Sequence, residues 1–124
     1  MRFLPFILCE DMKITDNTQS LKRSNDFRRI YRRGKNEAGG YVVVYAMQNR
    51  SNTNRLGLTV GKTVGKAVVR SRIKRQLREC YREYSDKLPQ GWDFILVARS
   101  RAAGQPLDKL KKDLSYVLKK MALI

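Results

Sequence analysis

The chain predicts a single small α+β domain, one sheet with helices packed against it. Its 124 residues suit one domain with one modest core, because domains usually run ~100–200 residues. A hydrophobic content of 42% keeps the chain out of the disordered class despite its charge. The hydropathy pattern also switches between helical and strand periods in the order α-β-β-α-β-α, without an internal repeat or a low-complexity stretch.

Residues 1–20 read as a flexible N-terminal extension, with a single domain at residues 21–124. The segment 1–9 (MRFLPFILC) is apolar, but Pro5 interrupts it and Glu10-Asp11 follow. It is too short for a signal-peptide core or a membrane span. Met12 offers a second start, and the polar residues 13–20 read as a leader to the domain.

The first helix falls in residues 21–34 (LKRSNDFRRIYRRG). Ser24 serves as its N-cap, Asp26 lies in the first turn, and Phe27, Ile30 and Tyr31 sit at i, i+3, i+4. Gly34 ends it. Arg28, Arg29, Arg32 and Arg33 make its outer face strongly basic. Residues 41–48 (YVVVYAMQ) and 55–60 (RLGLTV) are β-branched and aromatic, and the polar cluster 49–54 between them predicts an antiparallel pair.

After the glycine-punctuated connection 61–65, a long helix spans residues 66–84. Val69, Ile73, Leu77, Cys80, Tyr81 and Tyr84 form one apolar stripe along it. Pro89 and Gly91 break the chain before the buried-type strand 92–98 (WDFILVA). Pro106 stands at the first position of a last helix, 107–121, with Leu107, Leu110, Leu114, Val117, Leu118 and Met121 inward.

The chemistry is dominated by charge: 27 Lys and Arg against 11 Asp and Glu, a formal net charge of +16. That composition suits a polyanion partner. With no histidine, Ser-His and Cys-His nucleophile pairs, a His general base and His-bearing zinc sites all drop out. Cys9 and Cys80 are far apart in sequence and read as two reduced thiols in a cytoplasmic protein.

The densest signal is residues 66–78 (KAVVRSRIKRQLR). On a helix, Arg72, Lys74, Arg75, Arg78 and Arg82 fall opposite the apolar stripe, with Arg70 on its flank. Like charges at i, i+4 repel, and an external polyanion relieves that repulsion. Arginine in such a ridge suits bidentate phosphate contacts. Glu79 and Glu83, one turn apart, have the spacing to share a metal, but Arg78 and Arg82 flank them and favour ion pairing.

The stretch GLTVGKTVGKAVVRSRIKRQLRE resembles the signature of the protein subunit of bacterial ribonuclease P, an Arg-Asn-Arg motif followed by Ile-Lys-Arg. The resemblance extends through SNDFRRIYRRG and YVVVY and covers residues 21 to about 120. Ser71 stands where the family has Asn; its hydroxyl is shorter and lacks the amide's paired donor and acceptor, but it still donates to a phosphate. The resemblance implies an α/β two-layer sandwich of the ribosomal S5 domain 2-like type, with a left-handed βαβ crossover where right-handed ones are the rule.

The resemblance further implies a chain that binds a catalytic RNA and helps it remove the 5′ leader of precursor tRNA, Mg²⁺ being bound by the RNA and no catalytic or metal-binding residue lying on this chain. The RNA-binding residues it implies are Lys62, Lys66, Arg70, Ser71, Arg72, Lys74, Arg75, Arg78 and Arg82. Phe27, Arg28, Tyr31 and Tyr45 would line a leader cleft, since aromatic faces stack on unpaired bases with little sequence preference. Core packing is the competing role for those three rings. The expected partners are ribonuclease P RNA and precursor tRNA, with no membrane and no small-molecule substrate. A ribosomal or ribosome-assembly protein shares the charge, size and fold class, and a free-standing metal-dependent ribonuclease is a third reading. A leader cleft sets the first apart.

Overall fold

The computed structural model describes residues 18–124. In chain order the elements are β1 (Thr18–Ser20), α1 (Ser24–Arg33), β2 (Lys35–Ala38), β3 (Val42–Gln48), β4 (Asn54–Thr59), α2 (Ala67–Tyr84), β5 (Trp92–Ala98) and α3 (Leu107–Lys120). Short 3-10 turns at Lys62–Val64, Ser85–Lys87 and Ser100–Ala102 join the larger elements. The strands form one five-stranded sheet in the order β1-β4-β5-β3-β2.

The expected antiparallel pairing of the strands at 41–48 and 55–60 is not what the chain adopts. β5 lies between them, antiparallel to β3 and parallel to β4. The reason is burial. A central strand is covered on both faces, and β5 carries fully apolar, buried residues on both: Phe94, Leu96 and Ala98 face one side and Ile95 the other. The polar residues that suggested a hairpin turn instead wrap the start of β5. Asn49 N–H donates to the Gly91 carbonyl at 2.8 Å, and Gly91 has φ +83° with the Ser51 carbonyl 2.5 Å from where a Cβ would stand. A side chain at position 91 would therefore be both strained and blocked.

Helices α2 and α3 pack on one face of the sheet, giving the two-layer α/β core. Val42, Val44, Ala46, Leu56, Phe94 and Leu96 meet Ile73, Leu77, Cys80 and Tyr81 of α2 and Leu110, Leu114, Val117 and Leu118 of α3. The inward stripes are those the sequence periodicity marks, with Val69, Tyr84 and Leu107 only partly buried at its margins. α2 bridges the parallel strands β4 and β5, the connection in which the resemblance places its crossover. The Asp113 carboxylate of α3 accepts the backbone N–H groups of Gly40, Tyr41 and Val42, each at 2.9 Å, and so ties α3 to the β2–β3 turn.

The second sheet face carries α1 and a smaller core of Leu21, Ile30 and Ile95, with Phe27, Tyr45, Met47 and Val97 against it. Strand register sets out this face in three rows: Arg55–Asp93–Met47, Gly57–Ile95–Tyr45 and Thr59–Val97–Val43. α1 sits over the middle row. Its seat requires Gly57, where a Cβ would stand 2.5 Å from Phe27 Cζ.

Several local expectations change. Thr18–Ser20, assigned to the extension, pair in parallel with β4, and Thr18 Oγ1 lies 2.8 Å from the buried Tyr81 hydroxyl. Residues 1–17, including Cys9 and the proposed alternative start, lie outside the described residues. Residues 35–38, between the expected first helix and the strand at 41–48, form β2, a short polar edge strand. Ser24 is the first helical residue, with Arg23 in the cap position and no side-chain cap. Pro106, expected inside the last helix, is its N-cap, in extended conformation.

Candidate nucleic-acid interface

α2 presents the cationic ridge that its sequence predicts. Because Ile73, Leu77, Cys80 and Tyr81 must face the sheet, the intervening positions turn outward: Ser71, Arg72, Lys74, Arg75 and Arg82 are exposed, and Arg78 is half-buried. Lys66 occupies the N-cap position, and Lys62 opens the 3-10 turn just before it; both are exposed. Arg70 differs, for its Nε donates to the Gly65 carbonyl at 3.1 Å and the side chain is partly buried. That bond fixes the entry to α2.

The carboxylates in this region are drawn into ion pairs. Glu79 Oε2 lies 2.6 Å from Arg82 Nη1, and Glu83 Oε1 lies 3.2 Å from Lys111 Nζ on α3, which holds the lysine's pKa above its ordinary value. They do not converge as a metal pair would, and among the described residues there is no group of three or more His, Cys, Asp or Glu placed to hold a metal ion. Gln76 is also engaged: its Nε2 donates to the Gln105 carbonyl at 3.1 Å, docking the segment before α3.

The aromatic residues lie on the other sheet face. Tyr31 and Tyr45 meet edge-to-face with centroids 4.8 Å apart, and Phe27 lies 6.3 Å from Tyr31. Their environments separate their roles. Phe27 is wedged over Gly57 and against Leu21, so most of its surface packs α1 onto the sheet. Tyr31 is 37% exposed, and its hydroxyl shares a 2.6 Å hydrogen bond with Thr59 Oγ1 at the end of β4. Tyr45 is half-buried beside it, and Arg28 is exposed on the next face of the helix. The wet edge of the cleft is thus Tyr31, Tyr45 and Thr59, with Lys62 three residues beyond Thr59 in the chain.

One network escaped the sequence reading. Asp93, with a fully buried side chain, receives Arg55 Nε at 2.8 Å and Nη2 at 2.7 Å, and Asn49 Nδ2 at 2.8 Å. Arg55 reaches on to Asp26 of α1 at 3.4 Å, and Arg29 bridges Asp26 at 3.1 Å and Asp93 at 3.8 Å. Four charges therefore clamp the N-terminal half of α1 to the sheet and set the cleft's position. The lone Asp within WDFILVA was its signal in the sequence.

The model of the Ribonuclease P family matches residues 15–122. The chain belongs to the ribonuclease P protein family. The ribonuclease P protein component of Alkaliphilus oremlandii is 41% identical over 104 residues, covering 84% of this chain and 91% of that one. The component from Natranaerobius thermophilus is 41% identical over 105 residues, covering 85% and 91%. Among solved structures, the Staphylococcus aureus ribonuclease P protein aligns with a TM-score of 0.77 at 33% identity, covering 84% of this chain and 95% of that one. The Thermotoga maritima ribonuclease P protein aligns at 0.74 and 28%, covering 82% and 96%. As a ribonuclease P protein, the chain is the RNA-binding, non-catalytic subunit of a ribonucleoprotein that matures the 5′ ends of tRNA. Among the described residues no helix is long and apolar enough to cross a membrane.

Proposed function

We propose that the two faces of this ribonuclease P protein divide the RNA between them. The α2 ridge, with Lys62, Lys66, Arg70, Ser71, Arg72, Lys74, Arg75, Arg78 and Arg82, holds the ribonuclease P RNA through its phosphates. The cleft of Phe27, Arg28, Tyr31 and Tyr45 receives the single-stranded 5′ leader of precursor tRNA. The carrying observation is the Tyr31–Tyr45 pair at a solvent-exposed edge. Two rings placed only for core packing would be closed over, whereas Tyr31 is exposed and Tyr45 only half-buried beside the exposed Arg28, which suits stacking of unpaired bases. Phe27 contributes chiefly by holding α1 in place.

The protein's part is to bind and orient. Arginines and lysines neutralise phosphates and release counterions, and the aromatic edge holds the leader in line without reading its sequence. Mg²⁺ bound by the RNA would supply the activation of the attacking water there. The setting is the cytoplasm, where Cys80 stays a reduced thiol.

Reconstitution tests this reading. Adding the protein to a bacterial ribonuclease P RNA at low Mg²⁺ should stimulate cleavage of a precursor tRNA, while the protein alone should cleave nothing. Cleavage by protein alone would favour a free-standing nuclease, and failure to stimulate would contradict the proposal.

A further inference from the structure

α1 divides its sheet face in two, and the half away from the aromatic cleft is also shaped and charged. There the side chains beyond the Arg55–Asp93–Met47 row border a cavity of about 320 Å³, and an adjoining one of about 400 Å³ runs round the end of the sheet towards its other face. They share Arg33, Met47 and Gln48; Arg29 and Arg50 border the first, and Lys35 and Trp92 the second. The lining holds no carboxylate among the described residues. Arg33 and Arg50 are exposed, and neither forms an ion pair with a described carboxylate. Met47 adds an apolar surface on this face, while Trp92 lies on the α2–α3 face beside Phe94, with the Lys35 ammonium 5.4 Å from its ring centroid.

This groove is joined to the aromatic cleft by charge. At about 100° per residue, Arg28 and Arg32 follow Tyr31 round the outside of α1, and Arg29 and Arg33 follow them. A further cavity of about 580 Å³ lies on that crest, lined by Asn25, Arg28, Tyr31 and Arg32. The cationic surface therefore runs unbroken from the cleft, over the helix and down its far side. α1 is only about 10–12 Å across, so a strand that follows this surface must bend sharply. A single strand can do so; a double helix is stiff over far longer distances.

We propose that a single-stranded leader held at Tyr31 and Tyr45 continues over α1 along Arg28 and Arg32 into the groove of Arg33 and Arg50, so that its 5′-distal nucleotides straddle the helix. This rests on the leader-cleft reading above and extends it to a second binding segment. Arg33 and Arg50 are the residues that would hold the distal phosphates, with Met47 offering contact to a base. Arg29 is tied to Asp26 and Asp93 and serves mainly the clamp.

The test uses the reconstituted holoenzyme and precursor tRNAs whose leaders are lengthened two nucleotides at a time, with mature tRNA as the leaderless control. The variant is Arg33→Ala with Arg50→Gly, glycine being chosen because Arg50 has φ +61°. For the wild type, affinity should rise in two stages as the leader first fills the cleft and then crosses α1. The variant should match the wild type on mature tRNA and short leaders, and should lose the second stage, about three- to tenfold, as for two exposed ion pairs. Equal losses on every substrate would assign the groove to the RNA subunit and overturn the proposal. Identical curves for variant and wild type would also overturn it. If the wild type showed no dependence on leader length at all, the cleft reading itself would fall with it. Circular dichroism melts confirm that the variant is folded.

Discussion

Asp93 is the residue on which the leader-binding face most depends. A carboxylate with no solvent exposure is tolerated only when its charge is matched and its oxygens are hydrogen-bonded, and Arg55 and Asn49 do both. The same contact raises the Arg55 pKa, hydrogen bonding to Asp93 outweighing partial burial. Removing one partner leaves a buried charge uncompensated, so Arg55→Met should cost ~3–5 kcal/mol in urea unfolding. The double change Arg55→Met with Asp93→Asn should cost clearly less than the two single changes summed, because they share one interaction. Strict additivity would show that the clamp is not coupled.

Cys80 makes a different residue-scale prediction. Burial pushes its thiol from the ordinary 9.0 up to about 12. As pH rises through 9 the unfolded chain loses this proton first, so the thiol's contribution to stability is intact below pH 9 and declines between about 9 and 12. Tyr81, raised by burial, acts in the same direction. A Cys80→Val variant should therefore lose less stability than wild type between pH 8.5 and 10.5, by ~1 kcal/mol per pH unit at most. Parallel losses would place the thiol in contact with water.

At the scale of elements, the helices were the most legible and the strand partners the least. Periodicity over 18 residues specifies which face of α2 is buried, so Leu77→Ala should destabilise by ~2–5 kcal/mol through lost burial and a residual cavity. Gln76, one position along, looks like surface in the sequence, yet its bond to the Gln105 carbonyl gives Gln76→Ala a cost of about 1 kcal/mol. Thermal melts of both variants check that order, and equal shifts would mean the helix face is misassigned. Strand pairing was harder because it depends on which strand can be buried twice, a property of the assembled sheet. The residues 49–54 carry genuine turn chemistry, and nothing local says that the turn passes over an intervening strand. β1 and β2, three and four residues long, are too short for any period to show.

At the scale of the molecule, the basic ridge and the aromatic edge lie on elements that pack against opposite faces of one sheet, α2 on one and α1 on the other. The ridge was readable from α2 alone, since an amphipathic helix exposes whatever its buried stripe excludes. The cleft was readable only through the family resemblance, because Tyr31 and Tyr45 meet across 14 positions of chain and the clamp that aligns them joins α1, β4 and β5. This separation makes the central claim testable by perturbing each face alone.

The most direct measurement is a pair of dissociation constants in the reconstituted complex, one for precursor tRNA with a long 5′ leader and one for mature tRNA, with circular dichroism to confirm folding. Tyr31→Ala and Tyr45→Ala should each weaken leader-bearing substrate by ~1 kcal/mol or more per lost stack and leave mature tRNA nearly unchanged. Arg72→Ala with Arg75→Ala should weaken assembly with the RNA subunit, and with it both substrates together, because phosphate contacts position RNA without distinguishing a leader. Equal losses on the two substrates for the tyrosine variants would reduce those rings to packing residues and contradict the division of RNA between the two faces.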